Sequence, residues 1–293
     1  MRPISVFLCT VLWMWCARAQ DAPADTNQTS PVYRVTVVSR TTKAINYGHL
    51  TAPTKVGLKG TVLLPEAQGE ARVQSRRGNA EIEVKVNHLG APSRFGSEYL
   101  TYILWAMTPE GRPVNLGELV TDPSNKAHIR VSTDLQAFAL IVTAEPYFSV
   151  MQPSAVVVME NVVEHGTLGQ AEEVDAKYEL LPRKPFIYNM DVPPAGSGGQ
   201  EVSMAQYEAL LAVYQAQNAI QIAKAAGAEH YAADSIEKAE RLYRQALEMQ
   251  SQKADKYKIV TVAREAAQTA EDARAISVKR QQSEGIHAAV PRS

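Results

Sequence analysis

Cysteine is almost absent from this chain. Only Cys9 and Cys16 occur, and both lie in an apolar stretch close to the amino terminus. The remainder of the sequence has no thiol for a disulfide framework, a cysteine nucleophile or a thiolate metal site.

The chain also lacks an excess of charge of either sign. Its 293 residues include 30 lysines and arginines against 31 aspartates and glutamates, and the formal net charge is -1. A nucleic-acid-binding protein needs a basic patch, so this balance argues against nucleic acid as a partner. Since 45% of the residues are hydrophobic, the chain can nevertheless bury a sizeable core.

Long apolar runs are confined to residues 4–17, which follow Arg2 and precede an A-x-A site that ends at Ala19. This pattern predicts a signal peptide at residues 1–19, cleavage after Ala19 and a periplasmic or secreted mature protein. The run is shorter than the roughly 20 residues of a bilayer span, so no membrane span is expected after cleavage. Retention of the segment as an anchor and lipidation at Cys16 are the alternatives.

Alternation with a period of two predicts a β-rich domain at residues 32–163. In the clearest stretch Ile82, Val84, Val86 and His88 share one face of a strand. Many short strands without an intervening helix predict an antiparallel, immunoglobulin-like β-sandwich, with a barrel as the main alternative. The candidate strands lie at residues 33–39, 56–64, 70–75, 81–88, 99–107, 128–133, 138–144 and 155–162.

The segments on either side of this domain have a different composition. Residues 20–31 are polar and contain proline, which predicts a flexible lead-in. Residues 164–200 lose the alternation and are rich in proline and glycine, which predicts a linker.

A helical pattern begins after the predicted linker. Alanines recur at alternating steps of four and three residues, and this spacing predicts a second domain of three antiparallel helices with alanine seams at residues 201–283. Residues 284–293 are expected to form a disordered tail. The alanines of the first seam are Ala205, Ala209, Ala212, Ala216, Ala219, Ala223 and Ala226.

Capping signals mark the ends of these helices. Ser203 and Gln206 have the spacing of a capping box, and Gly227 ends the first helix. Asp234 and Glu237 repeat the capping signature before the second helix.

Three stretches follow one another in the β-rich part: YILWA at residues 102–106, PEGRPVNLG at 109–117 and FALIVTAEP at 138–146. In these stretches the β-rich part resembles the extracytoplasmic C-terminal domain of anti-sigma-K-type factors. Those domains carry Y-x-L-W, G-x-P-V-x-L-G and V-T-x-E-P in the same order. Tyr147 and Phe148 stand where that family usually has two glycines. The resemblance implies an extracytoplasmic domain and a role in envelope-stress signalling.

The helical part, above all residues 219–246, is similar to the bacterial DUF4398 domain. That domain often accompanies OmpA-like peptidoglycan-binding domains. The similarity implies a structural helical module of the cell envelope.

Catalytic motifs are missing. The sequence has no G-x-S-x-G elbow, no phosphate-binding G-x-x-x-x-G-K-[ST] loop and no H-E-x-x-H pair. Glu98 and Glu145 flank strands but are more typical of a polar sandwich surface than of an acid/base pair. His88 is expected to be a core histidine. We therefore predict no catalytic, cofactor-binding or metal-binding residue, and no cofactor.

Three aromatic residues are weak candidates for binding a partner. Trp105 is expected to anchor the core, and stacking on carbohydrate is the alternative. Tyr147 and Phe148 follow Glu145-Pro146 in a predicted loop, where they either dock a partner or fold back beneath the β-domain.

These observations favour an exported, non-enzymatic bacterial envelope protein that acts as an interaction or scaffolding module. A carbohydrate- or peptidoglycan-binding protein and an envelope-stress signalling component are the alternatives. The expected partners are an envelope protein or cell-wall glycan, and the sequence leaves the oligomeric state open.

Overall fold

A computed structural model of the chain describes residues 37–76, 78–179 and 203–289. The predicted signal peptide at 1–19, the lead-in at 20–31 and residues 180–200 of the predicted linker lie outside the described residues. Ten strands come first and four helices follow. The coarse prediction, an antiparallel β-rich part followed by a helical part, is confirmed.

The ten strands form one continuous antiparallel sheet, in which β8 is the branch point. The first residues of β8 pair with β1, and its remainder lies between β5 and β9. From β9 the sheet continues through β2, β3 and β4 to β7, while β10 pairs with β1 and β6 with β5. The strands are β1 Val37–Asn46, β2 Thr54–Gly60, β3 Gln68–Arg76, β4 Asn79–Asn87, β5 Thr101–Met107, β6 Pro113–Leu119, β7 Ala127–Thr133, β8 Ala137–Glu145, β9 Val157–Val162 and β10 Gln170–Glu179.

This sheet curls until β6 and β7 face each other, which makes a nearly closed barrel. Gly117 of β6 lies directly against β7: a Cβ atom at this position would be 2.9 Å from Cδ1 of Ile129. Gly117 also has a φ of 142°, a backbone conformation that favours glycine. The strands thus follow the barrel alternative, and an immunoglobulin-like sandwich of two sheets is not confirmed.

The barrel interior is filled by alternate residues of its strands. Ile82, Val84 and Val86 of β4 are buried there, as the alternation predicts. His88 is a correction to that pattern, because β4 ends at Asn87 and His88 is exposed with a φ of 61°. Leu89 takes the buried place instead.

Strands β5 and β8 are buried on both faces. One face points into the barrel, and the other belongs to a second apolar cluster that also includes the helices. On β5 the second face consists of Ile103, Trp105 and Met107. Burial on both sides explains why these two strands are almost continuously apolar.

The helices are α1 Met204–Ala225, α2 Ala228–Tyr231, α3 Ala233–Ser251 and α4 Lys256–Ala289. Helix α4 packs along both α1 and α3. Lys256 at the start of α4 contacts Ser203 at the start of α1, and Gln281 contacts Ala226 at the other end, so these two helices run parallel. The alanines at the centre of each seam are buried, which lets small side chains fill the contact between helices.

The capping signals have different outcomes. The capping box of Ser203 and Gln206 is present, and Gly227 adopts a left-handed conformation with a φ of 84° after α1. Asp234 is not a cap, because α3 begins one residue earlier at Ala233 and its N-cap is Ala232.

Several boundaries differ from the predictions. Strand β6 was not predicted, because Pro113 and Gly117 interrupt its alternation. Strand β10 lies inside the predicted linker: only the short alternation of Val174, Ala176 and Tyr178 marks it in the sequence, and its backbone pairs with β1 along all 10 residues. The helical part has four helices instead of three, and α4 continues past residue 283 to Ala289.

Candidate functional site

The predicted binding residues Trp105, Tyr147 and Phe148 all lie where the barrel meets the helices. The rings of Trp105 and Tyr147 are 0% exposed, and Phe148 is half-buried. We call this contact the sheet–helix joint. It consists of the outer face of β5, β8 and β9, the loop at residues 146–152, and helices α1 and α4.

Trp105 begins a chain of buried hydrogen bonds on the outer face of the sheet. Its Nε1 donates to Oγ1 of Thr143 over 2.7 Å, and Thr143 donates in turn to Oε1 of Glu145. The backbone N–H of Ser154 donates to the same carboxyl oxygen over 2.6 Å. Glu145 itself is 0% exposed, and this burial raises its pKa to about 8. Among the described residues Oε2 of Glu145 has no hydrogen-bond partner.

Tyr147 connects the sheet to α4 through Glu271. The tyrosine hydroxyl donates to Oε2 of Glu271 over 2.6 Å, and the N–H of Met151 donates to Oε1 over 2.9 Å. Arg274, one turn farther along α4, binds both oxygens through Nε at 2.6 Å and Nη2 at 2.7 Å. Burial alone would lower the pKa of Arg274, but its hydrogen bonds and charge pairing with Glu271 outweigh that effect and raise it.

The backbone of the loop at residues 146–152 is hydrogen-bonded by side chains of β6 and α1, in addition to Glu271 of α4. Asn115 of β6 donates to the carbonyls of Phe148 and Val150 over 2.9 and 2.8 Å. On α1, Gln215 accepts from the N–H of Phe148 and Asn218 donates to the carbonyl of Pro146. These bonds satisfy backbone groups that have no strand partner in the loop.

A second ion pair lies near the edge of the joint. Arg264 of α4 is hydrogen-bonded to Glu118 of β6, and its guanidinium stacks over the Phe148 ring at 4.4 Å from the centroid. Gln215 also donates to Glu118 over 2.6 Å. The half-buried Phe148 therefore packs against the chain's own helices.

This arrangement joins the sheet to the helices through buried side chains. The side chains of Trp105, Glu145, Tyr147 and Glu271 are all 0% exposed. The oxygens of Glu271 bind partners within the chain. Glu145 accepts hydrogen bonds from Thr143 and from the Ser154 backbone. Glu98, the other predicted flanking carboxylate, is partly exposed, and its backbone carbonyl accepts a hydrogen bond from Asn218.

The sequence predictions missed the polar residues of the helices that complete the joint. Gln215 and Asn218 form a stripe beside the α1 alanine seam, and Glu271 and Arg274 do the same on α4. Their signal is a second set of residues at steps of three and four, displaced by one position from the alanines. Polar residues in such a stripe resemble a solvated face until the surface that covers them is known.

The outer face of β3, β4 and β7 holds a separate, open concavity of about 520 Å³. Glu83 is one of its lining residues, and the side chains of Arg130 and Lys85 lower the pKa of this carboxyl to about 2 by hydrogen bonding. The residues that line the concavity are Arg72, Gln74, Glu81, Ile82, Glu83, Arg130, Val131 and Ser132.

Across residues 37–76, 78–179 and 203–289 there is no group of three or more His, Cys, Asp or Glu side chains arranged to hold a metal ion. None of the helices in this part of the chain combines the length and apolar character of a bilayer span. No family model matches the chain, and the curated proteins contain no match either.

Proposed function

We propose that this chain is an exported, non-enzymatic protein of the bacterial envelope that acts as an interaction or scaffolding module. The amino-terminal apolar run with its A-x-A site supports export. The resemblance of residues 102–146 to an extracytoplasmic domain points to the same compartment.

One observation carries the non-enzymatic part of the proposal. Tyr147 and Arg274 both bind Glu271, Glu145 accepts a hydrogen bond from the Ser154 backbone, and all four of these ionisable side chains are buried. A catalytic group has to reach a substrate. Residues that are perturbed by burial, but covered and engaged, instead fix two structural parts to each other.

Dependence on the amount of protein tests this proposal. A scaffold acts in stoichiometric proportion to its partner, whereas an enzyme turns over and suffices at a small fraction of the native amount. The gene is deleted in its own bacterium and restored under an inducible promoter, and detergent resistance of the envelope is measured against the amount of protein in the periplasmic fraction. We expect rescue to rise in proportion to protein until the native amount is reached.

Full rescue at a small fraction of the native amount would instead indicate catalysis. Recovery of the protein in the cytoplasmic fraction would contradict export. Glu145→Gln serves as a matched variant here, because it keeps the shape of the carboxyl group and should rescue as well as the natural chain.

Binding of cell-wall glycan is a second candidate function, favoured by the concavity on β3, β4 and β7. Arg72, Gln74 and Ser132 place planar and hydroxyl groups on an open sheet surface, which can hydrogen-bond to sugar hydroxyls and peptide carboxylates.

Sedimentation with purified peptidoglycan tests the second candidate. We expect the natural chain to sediment and the double variant Arg72→Ala, Gln74→Ala to remain in solution. Arg241→Ala on the exposed side of α3 is the control and should sediment normally. If the natural chain stays in solution, the concavity is not a glycan site.

A further inference from the structure

Two acidic side chains of the sheet–helix joint, Glu145 and Glu271, are fully buried, but the buried cation Arg274 pairs only with Glu271 among the described residues. Arg274 binds both oxygens of Glu271, and both side chains are at least 96% covered, with exposures of 4% and 0%. Within the part of the chain that the structure describes, Glu145 receives hydrogen bonds from Thr143 and Ser154 and forms no ion pair.

The polar and charged groups around Glu145 come from strands β5 and β8, the loop that follows β8, and helix α4. Its own strand contributes Thr143, β5 contributes Trp105 behind that threonine, and the following loop contributes Ser154. The charge of Glu271 on α4 disfavours ionisation of Glu145, and Tyr147 interacts electrostatically with both carboxyl groups. Ionised Glu145 would therefore be a buried negative charge beside the already satisfied Glu271–Arg274 pair.

We propose that loss of the proton from Glu145 separates helices α1 and α4 from the barrel, so that the sheet–helix joint is closed in acid and opens as the pH rises. Separation brings the Glu145 carboxylate into water without unfolding either part. The joint is suited to such a change because side chains form its hydrogen bonds, whereas the barrel and the helices keep their own backbone ladders.

The direction follows from the two protonation equilibria. In the closed joint the pKa of Glu145 is about 8, against an ordinary value of 4.5 for a carboxyl in water. Between these values the open form has released the proton and the closed form retains it. The open population should therefore rise roughly tenfold per pH unit in this window and become constant above it.

Thiol labelling measures this opening in the full chain. Cys9→Ser and Cys16→Ser remove the natural cysteines, after which a single cysteine is introduced at the joint by Ala139→Cys. Ala139 is fully buried on the outer face of β8. The labelling rate is measured from about pH 5 to about pH 9 in the natural background and with Glu145→Gln, and the ratio of the two removes the ordinary effect of pH on thiol reactivity.

We expect this ratio to rise roughly tenfold per pH unit and to level off near pH 8. Ala106→Cys places the thiol inside the barrel instead, and its labelling ratio should stay flat because the barrel remains folded. Glu70→Gln, an exposed strand residue paired with Lys55, should leave the labelling profile of the natural chain unchanged.

Identical profiles with and without Glu145→Gln would overturn the proposal. Equal pH dependence of the thiols introduced by Ala139→Cys and Ala106→Cys would also do so, since it would mean unfolding of the whole chain. Glu145→Gln could fail to fold, which circular dichroism would show. In that case the labelling rate with Ala139→Cys is divided by the rate with Ala106→Cys in the natural background. A ratio that rises with pH supports the proposal, and a constant ratio overturns it.

Discussion

At the scale of single residues, the ion pair of Glu271 and Arg274 shows how much a buried charge depends on its partner. Glu271 accepts hydrogen bonds from Arg274, Tyr147 and the Met151 backbone. Removing the guanidinium leaves a carboxylate that water cannot reach. The pair therefore adds little net free energy of unfolding, but both partners must be present for the joint to stay closed.

Arg274→Met should lower the free energy of unfolding by about 3–5 kcal/mol, because Glu271 is left buried without its cation. The double variant Glu271→Met, Arg274→Met should recover part of this loss, since no unpaired charge remains. Urea denaturation near neutral pH measures both. A double variant that is less stable than Arg274→Met would show that the hydrogen bonds of Tyr147 and Met151 matter more than the charge.

Glu145 gives the whole chain a distinctive dependence on pH. Its pKa is about 8 when folded, against 4.5 as the ordinary value, so the unfolded state binds fewer protons between these two values. The free energy of unfolding should therefore fall as the pH rises through this window and should be level above it.

Glu145→Gln should remove this slope. The variant should resemble the natural chain below about pH 4.5 and exceed its stability near pH 9 by on the order of a few kcal/mol. Denaturation curves across the pH range provide the measurement. A natural chain that gains stability between pH values of about 5 and 8 would contradict the role given to this carboxyl.

At the scale of elements, closure of the barrel depends on the approach of β6 to β7. Gly117→Ala would place a Cβ 2.9 Å from Ile129 Cδ1 at a φ of 142°. We expect a loss of about 1–3 kcal/mol, measured by thermal denaturation. The double variant Gly117→Ala, Ile129→Ala relieves the contact but not the backbone strain. Its loss relative to Ile129→Ala alone reports the strain, and the further loss in Gly117→Ala reports the contact. An unchanged Tm for Gly117→Ala would mean that β6 and β7 pack less closely than the structure indicates.

Elements with a strong apolar period could be predicted from the sequence, and elements held by backbone pairing could not. Ile82, Val84 and Val86 identify β4, and the alanine seams identify the long helices. Strand β10 offers only the short alternation of Val174, Ala176 and Tyr178, and its backbone pairs with β1 along its whole length. The joint could not be predicted for a related reason. Glu271, which binds Tyr147 and the Met151 backbone, lies more than 100 positions away from them in the sequence.

At the scale of the whole molecule, the strands and helices that the structure describes form one compact unit and share an apolar cluster. We expect one cooperative unfolding transition near pH 6, where the joint is closed. Helix loss, followed by far-UV circular dichroism, should coincide with exposure of Trp105, followed by fluorescence in a chain carrying Trp13→Phe and Trp15→Phe. Two separate transitions would show that the barrel and the helices are independent in stability.

The loop at residues 146–152 has a consequence for how this chain tolerates change. Surface connections between neighbouring strands ordinarily accept insertions, because few contacts depend on them. Here the connection between β8 and β9 is also the place where two helices attach. A lengthened loop would therefore displace the carbonyls that accept hydrogen bonds from Asn115 and Asn218. The exposed turn at residues 122–125 attaches no helix, although the Asn125 carbonyl accepts a hydrogen bond from the N–H of Leu89. A tag or a fused domain therefore belongs in that turn, and natural variation in chain length should accumulate there rather than between β8 and β9.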